Sequence, residues 1–274
     1  MEKKQVNART IFAIGIIAIC IICINVAVYL TIIEKEDTSK TEEVIVDTVA
    51  LSENFLNIFD NKLDSQSYNI STVNKIDSTK ELIYTNYEKA DKQEGKYDIN
   101  INIPNININN SNIEKINKEI EEIFYTKVND ILLQTNSIES IYSVKYKAYV
   151  NDNILSLIIT SNLKEGENPQ RVIIKTYNYN MSSNEILNIN QILDYRALDS
   201  KNVQNKIDNV IKDAAQTASA YQELGYNKYL RDLNDDMYKV QNAKVFFLGE
   251  GKSIYILYPY GNSNYTSEFD LVVI

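Results

Sequence analysis

Residues 97–110 read YDININIPNININN, and the fold of the surrounding segment follows from this stretch. An apolar side chain recurs every second residue, but the parity changes at Pro104: Ile99, Ile101 and Ile103 precede it, and Ile106 and Ile108 follow it. Because two is the side-chain period of a strand, the stretch predicts a β-strand with one register slip. Proline lacks the N–H of a ladder bond, so Pro104 is expected at an edge or a bulge. The intervening asparagines are interpreted as a compositional bias on the solvent side.

A helix is predicted directly after this strand. Ser111 and Glu114 form the S-x-x-E pattern of a capping box. Apolar residues then recur at helical spacing and predict one buried stripe: Ile113, Ile116, Ile120, Ile123, Phe124, Val128, Ile131 and Leu132.

Further strands and helices are predicted on both sides of this unit. Upstream, residues 44–63 are expected to be helical and residues 64–79 to be a loop. A second long helix is predicted from Asp199 or Ser200 to Gly225, with Tyr221 among its inward-facing residues. The remaining predicted elements are a hairpin of strands 142–150 and 154–161, a strand at 171–179, a helical turn at 188–193, and strands at 245–248, 254–258 and 269–274, the first two joined by a GEGK turn. The pattern predicts an α+β fold, with helices packed on largely antiparallel sheets.

A transmembrane helix is predicted over residues 11–33, which contain 23 residues without a charge. A helix of this length, at about 1.5 Å per residue, spans a hydrocarbon layer of about 30 Å. Lys3, Lys4 and Arg9 precede the run, which predicts a cytoplasmic tail at residues 1–10 and an extracellular chain after Glu34. A cleaved signal peptide is the alternative, but the run exceeds an h-region and no small-residue cleavage site follows it. Residues 34–79 are expected to be a linker and a helical segment.

The two cysteines, Cys20 and Cys23, both lie in this predicted helix. Their C-x-x-C spacing is typical of redox motifs, but a reactive thiolate needs access to water, and hydrocarbon raises the pKa of a thiol. We therefore interpret them as packing residues. The predicted ectodomain contains no cysteine and must fold without disulfide bonds.

The charge of the chain argues against a nucleic-acid partner. The chain has 28 basic and 37 acidic side chains; three basic and one acidic residue precede residue 34, which leaves 25 and 36 and a formal charge of −11. Phosphate binding requires clustered lysines and arginines, whereas an acidic surface favours a cationic partner or serves solubility alone.

Several kinds of chemistry are excluded or disfavoured by the residues present. The chain has no histidine, which removes Ser-His-Asp catalysis and the usual zinc sites. Asp232, Asn234 and Asp236 resemble the start of a calcium loop, but Met237 and Ala243 stand where that loop needs Gly and Glu. We expect no metal and no cofactor. Ser-Lys catalysis stays open, although no motif selects one serine.

Five segments, in this order and spacing, resemble the extracellular module of the lysozyme-sensing anti-sigma factors of RsiV type: KYDININIP (96–104), INKEI (116–120), YKAYVNDNILSLIITSN (146–162), KTYNYNMSSNEILNINQIL (175–193) and FFLGEGKSIYILYPYGNSNYTSEF (246–269). The same module precedes the catalytic domain of peptidoglycan deacetylases of PdaC type. The resemblance covers residues 80–274 and implies two consecutive α+β subdomains, a PdaC-like one at 80–165 and an RsiV-like C-terminal one at 166–274.

The chain also departs from this family. GEN at residues 166–168 replaces a Gly-Ala-His-like turn, and Tyr265 is followed by Thr266 where the family has glycine. Ten residues before the predicted membrane helix are too few for a sigma-binding domain, and the metal-binding histidines of the deacetylase are absent. The resemblance thus implies the module and neither the signalling output nor the enzyme.

The resulting hypothesis is a non-enzymatic, membrane-anchored ectodomain at the surface of a Gram-positive bacterium, which binds an extracellular protein such as lysozyme or a cell-wall component. If lysozyme recognition is retained, the resemblance places part of the contact at Pro259, Tyr260 and Tyr265. One alternative is a cell-wall hydrolase that uses carboxylates, with Glu165, Glu167 and Glu268 as candidates. Another is a structural partner of an envelope protein.

Overall fold

The computed structural model of the protein describes residues 48–66, 73–135, 138–260 and 268–274. All of them belong to one compact unit, Val46–Ile274. Its three clusters of buried apolar side chains are built from residues of the unit itself, which is what independent folding requires. The predicted transmembrane segment lies outside the described residues. Within the described ranges, no helix is long and apolar enough to cross a membrane.

Seven strands of the described residues form one large sheet: β1 (Leu63–Gln66), β2 (Ile83–Gln93), β3 (Tyr97–Ile106), β4 (Ser140–Asn151), β5 (Ile154–Glu165), β6 (Arg171–Asn180) and β7 (Glu185–Ile186). Six of them follow the order β2-β3-β4-β5-β6-β7, and β1 pairs with β4. The β1–β4 and β3–β4 pairs are parallel and the others antiparallel. The predicted hairpin is confirmed, with a turn at Asp152 and Asn153 between β4 and β5.

Strand β3 contains the stretch YDININIPNI, and its predicted register slip is confirmed. The extra residue lies in the partner strand, because the β2 register shifts between Thr85 and Tyr87, opposite Pro104 and Ile103. Pairing of β3 with β4 stops at Ile101, so Pro104 lies on a stretch of β3 that pairs with β2 alone among the described strands. This position confirms the predicted strand edge.

Two helices cover one face of the large sheet: α2 (Ser111–Ile120) and α3 (Thr126–Leu133), which are joined by the π-helical turn Glu121–Tyr125. The predicted stripe is confirmed, since its buried members are Ile113, Ile116, Ile120, Phe124, Val128 and Ile131. The predicted cap is wrong by one residue. Asn110 is the N-cap, and its side chain accepts a hydrogen bond from the Asn112 N–H at 2.8 Å.

A second sheet is formed by the C-terminal strands β8 (Val245–Leu248), β9 (Ile254–Pro259) and β10 (Phe269–Val273), in the order β10-β9-β8. Helices α4 (Ile189–Tyr195) and α5 (Ser200–Glu223) contribute to the core on one side of it. On the other side, Phe55 and Tyr149 pack with Phe247 and Tyr255 between the two sheets. The predicted α+β class is confirmed.

The two sheets are joined by polar side chains as well as by apolar packing. On its side facing the large sheet, β8 donates from the Phe246 N–H to Thr176 Oγ1 at 3.1 Å and from the Leu248 N–H to Ser156 Oγ at 3.2 Å. The Asn178 side chain donates to the Phe246 carbonyl at 2.8 Å. Side chains of the large sheet therefore satisfy β8 where a neighbouring strand would otherwise pair with it.

Two predicted features, one near the N-terminus and one in α5, are wrong, and one strand was missed. The described part of the helix predicted at 44–63 is α1 (Thr48–Glu53) followed by a 3₁₀ turn, and Leu63 begins a strand. Strand β2 was not predicted at all. Tyr221, expected to face inward from α5, is 46% exposed.

The predicted subdomain boundary at residue 165 coincides with the end of β5. Strand β6, beyond it, pairs with β5 from Arg171 to Asn180, so the large sheet is continuous across this position. The division into subdomains stays a prediction.

Candidate functional site

The C-terminal hairpin of β9 and β10 contains the residues that the family resemblance selected. Pro259 pairs with Phe269 at the end of β9 and is partly exposed. Tyr260 follows it, and its N–H donates to the Glu268 carbonyl at 3.0 Å, which closes the base of the hairpin. Tyr265 lies outside the described residues.

Tyr260 is an interior residue, with 4% of its surface exposed. Its hydroxyl donates to the Asp270 carboxylate and accepts a hydrogen bond from the Tyr238 hydroxyl at 3.2 Å. Burial, and then the hydrogen bond to Asp270, raises the pKa of Tyr260 well above its usual range. Tyr260 therefore shapes the hairpin from within, and its ring is not on the surface as an exposed anchor would be.

A buried ion pair completes the base of the hairpin. Arg231 donates to both carboxylate oxygens of Asp270, at 2.9 and 3.1 Å, and both side chains are 8% exposed. The hydrogen bonds that Arg231 donates to Asp270 raise the pKa of Arg231. The guanidinium also lies over the Tyr260 ring, 4.7 Å from its centroid. Loss of one partner would leave an uncompensated buried charge, so this pair fixes Arg231 and the chain around it to the hairpin.

The chain that leads to Arg231 carries an unusual concentration of exposed apolar side chains, and we call residues 221–233 the aromatic segment. It begins at the last turn of α5 and passes Gly225, whose φ of +86° ends the helix. Its apolar side chains are between 41% and 73% exposed: Tyr221, Leu224, Tyr226, Tyr229, Leu230 and Leu233. Exposed apolar groups concentrated in this way mark interaction surfaces more often than they mark ordinary surface.

The aromatic segment is attached to the hairpin base through ring stacking. Tyr229 stacks on the buried Tyr260, with ring centroids 4.3 Å apart and an interplanar angle of 19°. Tyr221 and Tyr226 contact each other edge to face, at 5.8 Å. Tyr229 is thus held on the hairpin base and Tyr221 and Tyr226 are held by each other, and such contacts lower the entropy lost when a partner binds.

The charge around the aromatic segment is acidic. Its two basic side chains are each engaged by the C-terminal hairpin: Arg231 with Asp270, and Lys228 with Glu268 at 3.7 Å. The acidic side chains of the segment and its end remain exposed: Glu223, Asp232, Asp235 and Asp236. An apolar surface with an acidic rim complements a partner that presents apolar side chains among positive charges.

The three candidate carboxylates lie on different elements. Glu165, at the end of β5, forms ion pairs with Lys127 at 2.7 Å and with Arg171. Glu167 is exposed in the following turn, and Glu268 begins the last segment of the chain beside Lys228. Among the described residues there is also no group of His, Cys, Asp and Glu that could hold a metal ion. The geometry therefore does not single out a catalytic pair of carboxylates.

The aromatic segment was not predicted from the sequence, because Tyr221 was expected in the core and residues 232–236 were compared only with a calcium loop. One feature could have identified it. Four of the six exposed apolar residues lie after Gly225, in a stretch that belongs to no predicted helix or strand and so had no predicted core to face.

Comparisons with known proteins give distant structural neighbours. No family model matches the chain, and no curated protein matches it. A crystal structure of a DUF3298 family protein from Pseudomonas aeruginosa PAO1 is 11% identical, covers 70% of this chain and 87% of its own, and gives a TM-score of 0.37. A DUF3298 family member from Bacteroides fragilis NCTC 9343 is 12% identical, covers 64% and 80%, and gives a TM-score of 0.35. DUF3298 is a domain of unknown function, and these values do not test the resemblance to the lysozyme-sensing anti-sigma factors.

Proposed function

We propose that the protein is a non-enzymatic, membrane-anchored ectodomain that binds a cationic extracellular protein through the aromatic segment. The observation that carries this proposal is the set of six exposed apolar side chains at residues 221–233 on the rigid base of the C-terminal hairpin. Aromatic and leucine side chains in such a position supply the buried centre of an interface, while the acidic residues around them form its rim.

The proposal selects a protein rather than a small molecule because the apolar side chains project outward instead of lining a cavity. It selects a cationic protein because the basic side chains of the segment are already paired with carboxylates of the hairpin. The formal charge of −11 after residue 33 adds long-range attraction for such a partner. Lysozyme, the ligand implied by the family resemblance, is the probe that fits this description.

The test is binding of lysozyme to residues 34–274, which contain the whole compact unit. We expect micromolar or tighter binding at low salt, with association slowing as salt rises because exposed charges are screened over about 10 Å at 0.1 M. Leu230→Ala and Tyr226→Ala should each raise Kd about tenfold, mainly through faster dissociation, as expected for residues at the centre of an interface. Glu223→Gln should slow association and leave dissociation unchanged.

Leu133→Ala is the matched control, because Leu133 is 79% exposed but lies in α3, the helix that covers the other face of the large sheet. Its Kd should equal that of the unmodified protein. Absence of lysozyme binding at micromolar concentration in low salt would overturn the proposal, as would binding that all three variants leave unchanged. Binding to purified cell wall in place of lysozyme would assign the surface to a polymer instead.

The same proposal places residues 1–10 in the cytoplasm, residues 11–33 in the membrane and the chain after Glu34 outside the cell. It is supported by the uncharged run and by Lys3, Lys4 and Arg9 before it. Protease added to intact cells should digest the part of the chain that contains the large sheet. Protection of that part, or a mature protein that starts near residue 34, would contradict the anchored topology.

A further inference from the structure

Strand β6 has one edge that no described strand covers along most of its length. On one side it pairs with β5 throughout. On the other side it pairs with β7 only at Tyr179 and Asn180. From Val172 to Thr176, the second edge makes no main-chain hydrogen bond to any described residue.

The direction of the free groups follows from the one main-chain bond just beyond this stretch. The Asn178 carbonyl accepts from the Leu187 N–H at 2.8 Å, so the main chain of Asn178 faces away from β5. In an antiparallel pair the main-chain groups alternate in direction from residue to residue. Val172, Ile174 and Thr176 therefore present both N–H and C=O to the free edge.

The free edge opens into a groove rather than onto a flat surface. The groove has a volume of about 1080 Å³ and is lined by five consecutive residues of β6, 173–177. Glu119 of α2 lies in its wall, and the opposite part of the wall is formed by residues 241–245 and by Leu257, Tyr258 and Pro259 of β9. Five consecutive lining residues are what a strand shows when its edge, and not one of its faces, borders the cavity.

We propose that this groove binds an extended polypeptide segment, which adds to β6 as a further strand. A peptide chain is the ligand that matches alternating N–H and C=O groups at strand spacing, as in other cases of strand addition. The five residues from Val172 to Thr176 span about 16 Å at about 3.3 Å per residue, so the segment would be five to seven residues long. This site is independent of the partner proposed for the aromatic segment.

Two features favour a single extended peptide strand over a second folded copy of the protein as the ligand. The edge is bordered by Glu119 of α2 on one side and by residues 241–245 and β9 on the other, so a ligand reaches it only within the groove. The charged groups of the walls have both signs, with Lys175 and Lys244 against Glu119 and Asp236, so they impose no single charge on the ligand. Recognition would therefore rest on the main chain and tolerate different side chains.

The test uses residues 34–274, labelled with ¹⁵N, and a synthetic heptapeptide. The peptide has a glutamate at each end and five alternating valine and threonine residues between them. We expect the amide signals of Val172, Ile174 and Thr176 to shift in a saturable way at millimolar peptide. The same peptide with N-methyl groups on alternate residues keeps its side chains but loses main-chain donors. It should bind about tenfold more weakly, because two or more hydrogen bonds are lost.

Two variants of Ile174 distinguish the contribution of its main-chain N–H to peptide binding from the contribution of its side chain. Ile174→Pro removes an N–H that faces the groove and leaves the ladder to β5 intact, so binding should weaken about tenfold. Ile174→Val keeps the N–H and should bind like the unmodified protein. Equal binding of both peptides, shifts confined to residues outside β6, or no binding at millimolar peptide would overturn the proposal. If Ile174→Pro does not fold, the comparison of the two peptides alone decides.

Discussion

Single asparagine side chains take the place of missing main-chain partners at several positions. Asn107 is 1% exposed, and its side chain donates to the carbonyls of Asp77, Lys80 and Glu81 and accepts from the Asp77 N–H. Asn117 of α2 bonds both the N–H and the carbonyl of Ile106, at 2.9 Å each. The sequence interpretation assigned the asparagines of this region to the solvent side, and for Asn107 that is wrong. Composition cannot distinguish a buried connector from an exposed asparagine.

Asn107→Asp should destabilise the protein more at neutral pH than in acid. The new carboxyl would face three carbonyl oxygens, which disfavour its charged form and raise its pKa. The destabilisation should be about 3 kcal/mol at pH 7 and smaller near pH 4, where the carboxyl is protonated and can donate one hydrogen bond. Urea unfolding at the two pH values measures this.

Asn100→Asp is the control for this substitution, because Asn100 lies in β3, the strand that directly precedes Asn107, and is exposed. Its free energy of unfolding should change by less than about 0.5 kcal/mol at either pH. If Asn107→Asp lowers the free energy of unfolding by the same amount at both pH values, the new carboxylate has found hydrogen-bond donors at this site.

A helix or strand could be predicted from the sequence when many of its residues face the core, because only those residues set up a regular apolar spacing. The helix at 111–133 was predictable because its apolar residues recur at intervals of three and four. The spacing of four from Ile116 to Val128 exceeds the 3.6 residues of an α-helical turn, and the π-helical turn at Glu121–Tyr125 absorbs part of the difference. Strand β2 was not predictable, because it is an edge strand whose second half is charged and exposed.

Pro104→Val tests the edge at β3. The Ile106 N–H faces α2, where Asn117 accepts it, and by alternation the nitrogen of residue 104 points the same way. Pro104 is buried, so the N–H of the variant would lack both a partner and water. We expect a loss of about 1–3 kcal/mol in the free energy of unfolding, with the protein still folded and monomeric.

Pro169→Val is the matched control, since Pro169 lies exposed in the turn between β5 and β6 and its replacement affects mainly the unfolded chain. Urea unfolding measures the stability of each variant, and light scattering measures whether it stays monomeric. An increase in mass for Pro104→Val would mean that this edge is open to other molecules, and equal stability of the two variants would mean that the new N–H is satisfied.

At the scale of the whole molecule, the pairings between distant segments could not be predicted. The α+β class and most of the antiparallel strands follow from local periodicity. The parallel pairs β1–β4 and β3–β4 join segments separated by tens of residues, and nothing in their local patterns selects the partner. The candidate site depends on such long-range contacts as well, because Tyr229, Arg231 and Tyr238, some twenty to thirty residues earlier in the chain, contact Tyr260.

The stability of the molecule should depend on pH mainly at the alkaline end. There is no histidine to titrate near neutrality. Burial raises the pKa of Tyr255 to about 12 and also raises those of Tyr142, Tyr149 and Tyr258. A tyrosine whose pKa is higher in the folded state contributes to stability in full below its unfolded pKa of about 10. This stabilisation is lost as the pH rises through the folded pKa.

Urea midpoints should therefore stay constant between about pH 6 and 8 and fall between about pH 10 and 12. Tyrosinate absorbance of the folded protein should show Tyr255 ionising at a higher pH than free tyrosine, whose pKa is about 10. A midpoint that falls near neutrality, or buried tyrosines that ionise near pH 10 in the folded state, would contradict this account.

The closed base of the C-terminal hairpin has an evolutionary consequence. Tyr260, Asp270 and Arg231 hold the two ends of the chain between β9 and β10 together through contacts that involve none of the residues between them. These contacts do not depend on the length of the connection between Tyr260 and Glu268, and lengthening a connection adds only a small closure entropy. Related proteins can then keep the aromatic and ionic base while the sequence that connects β9 to β10 changes.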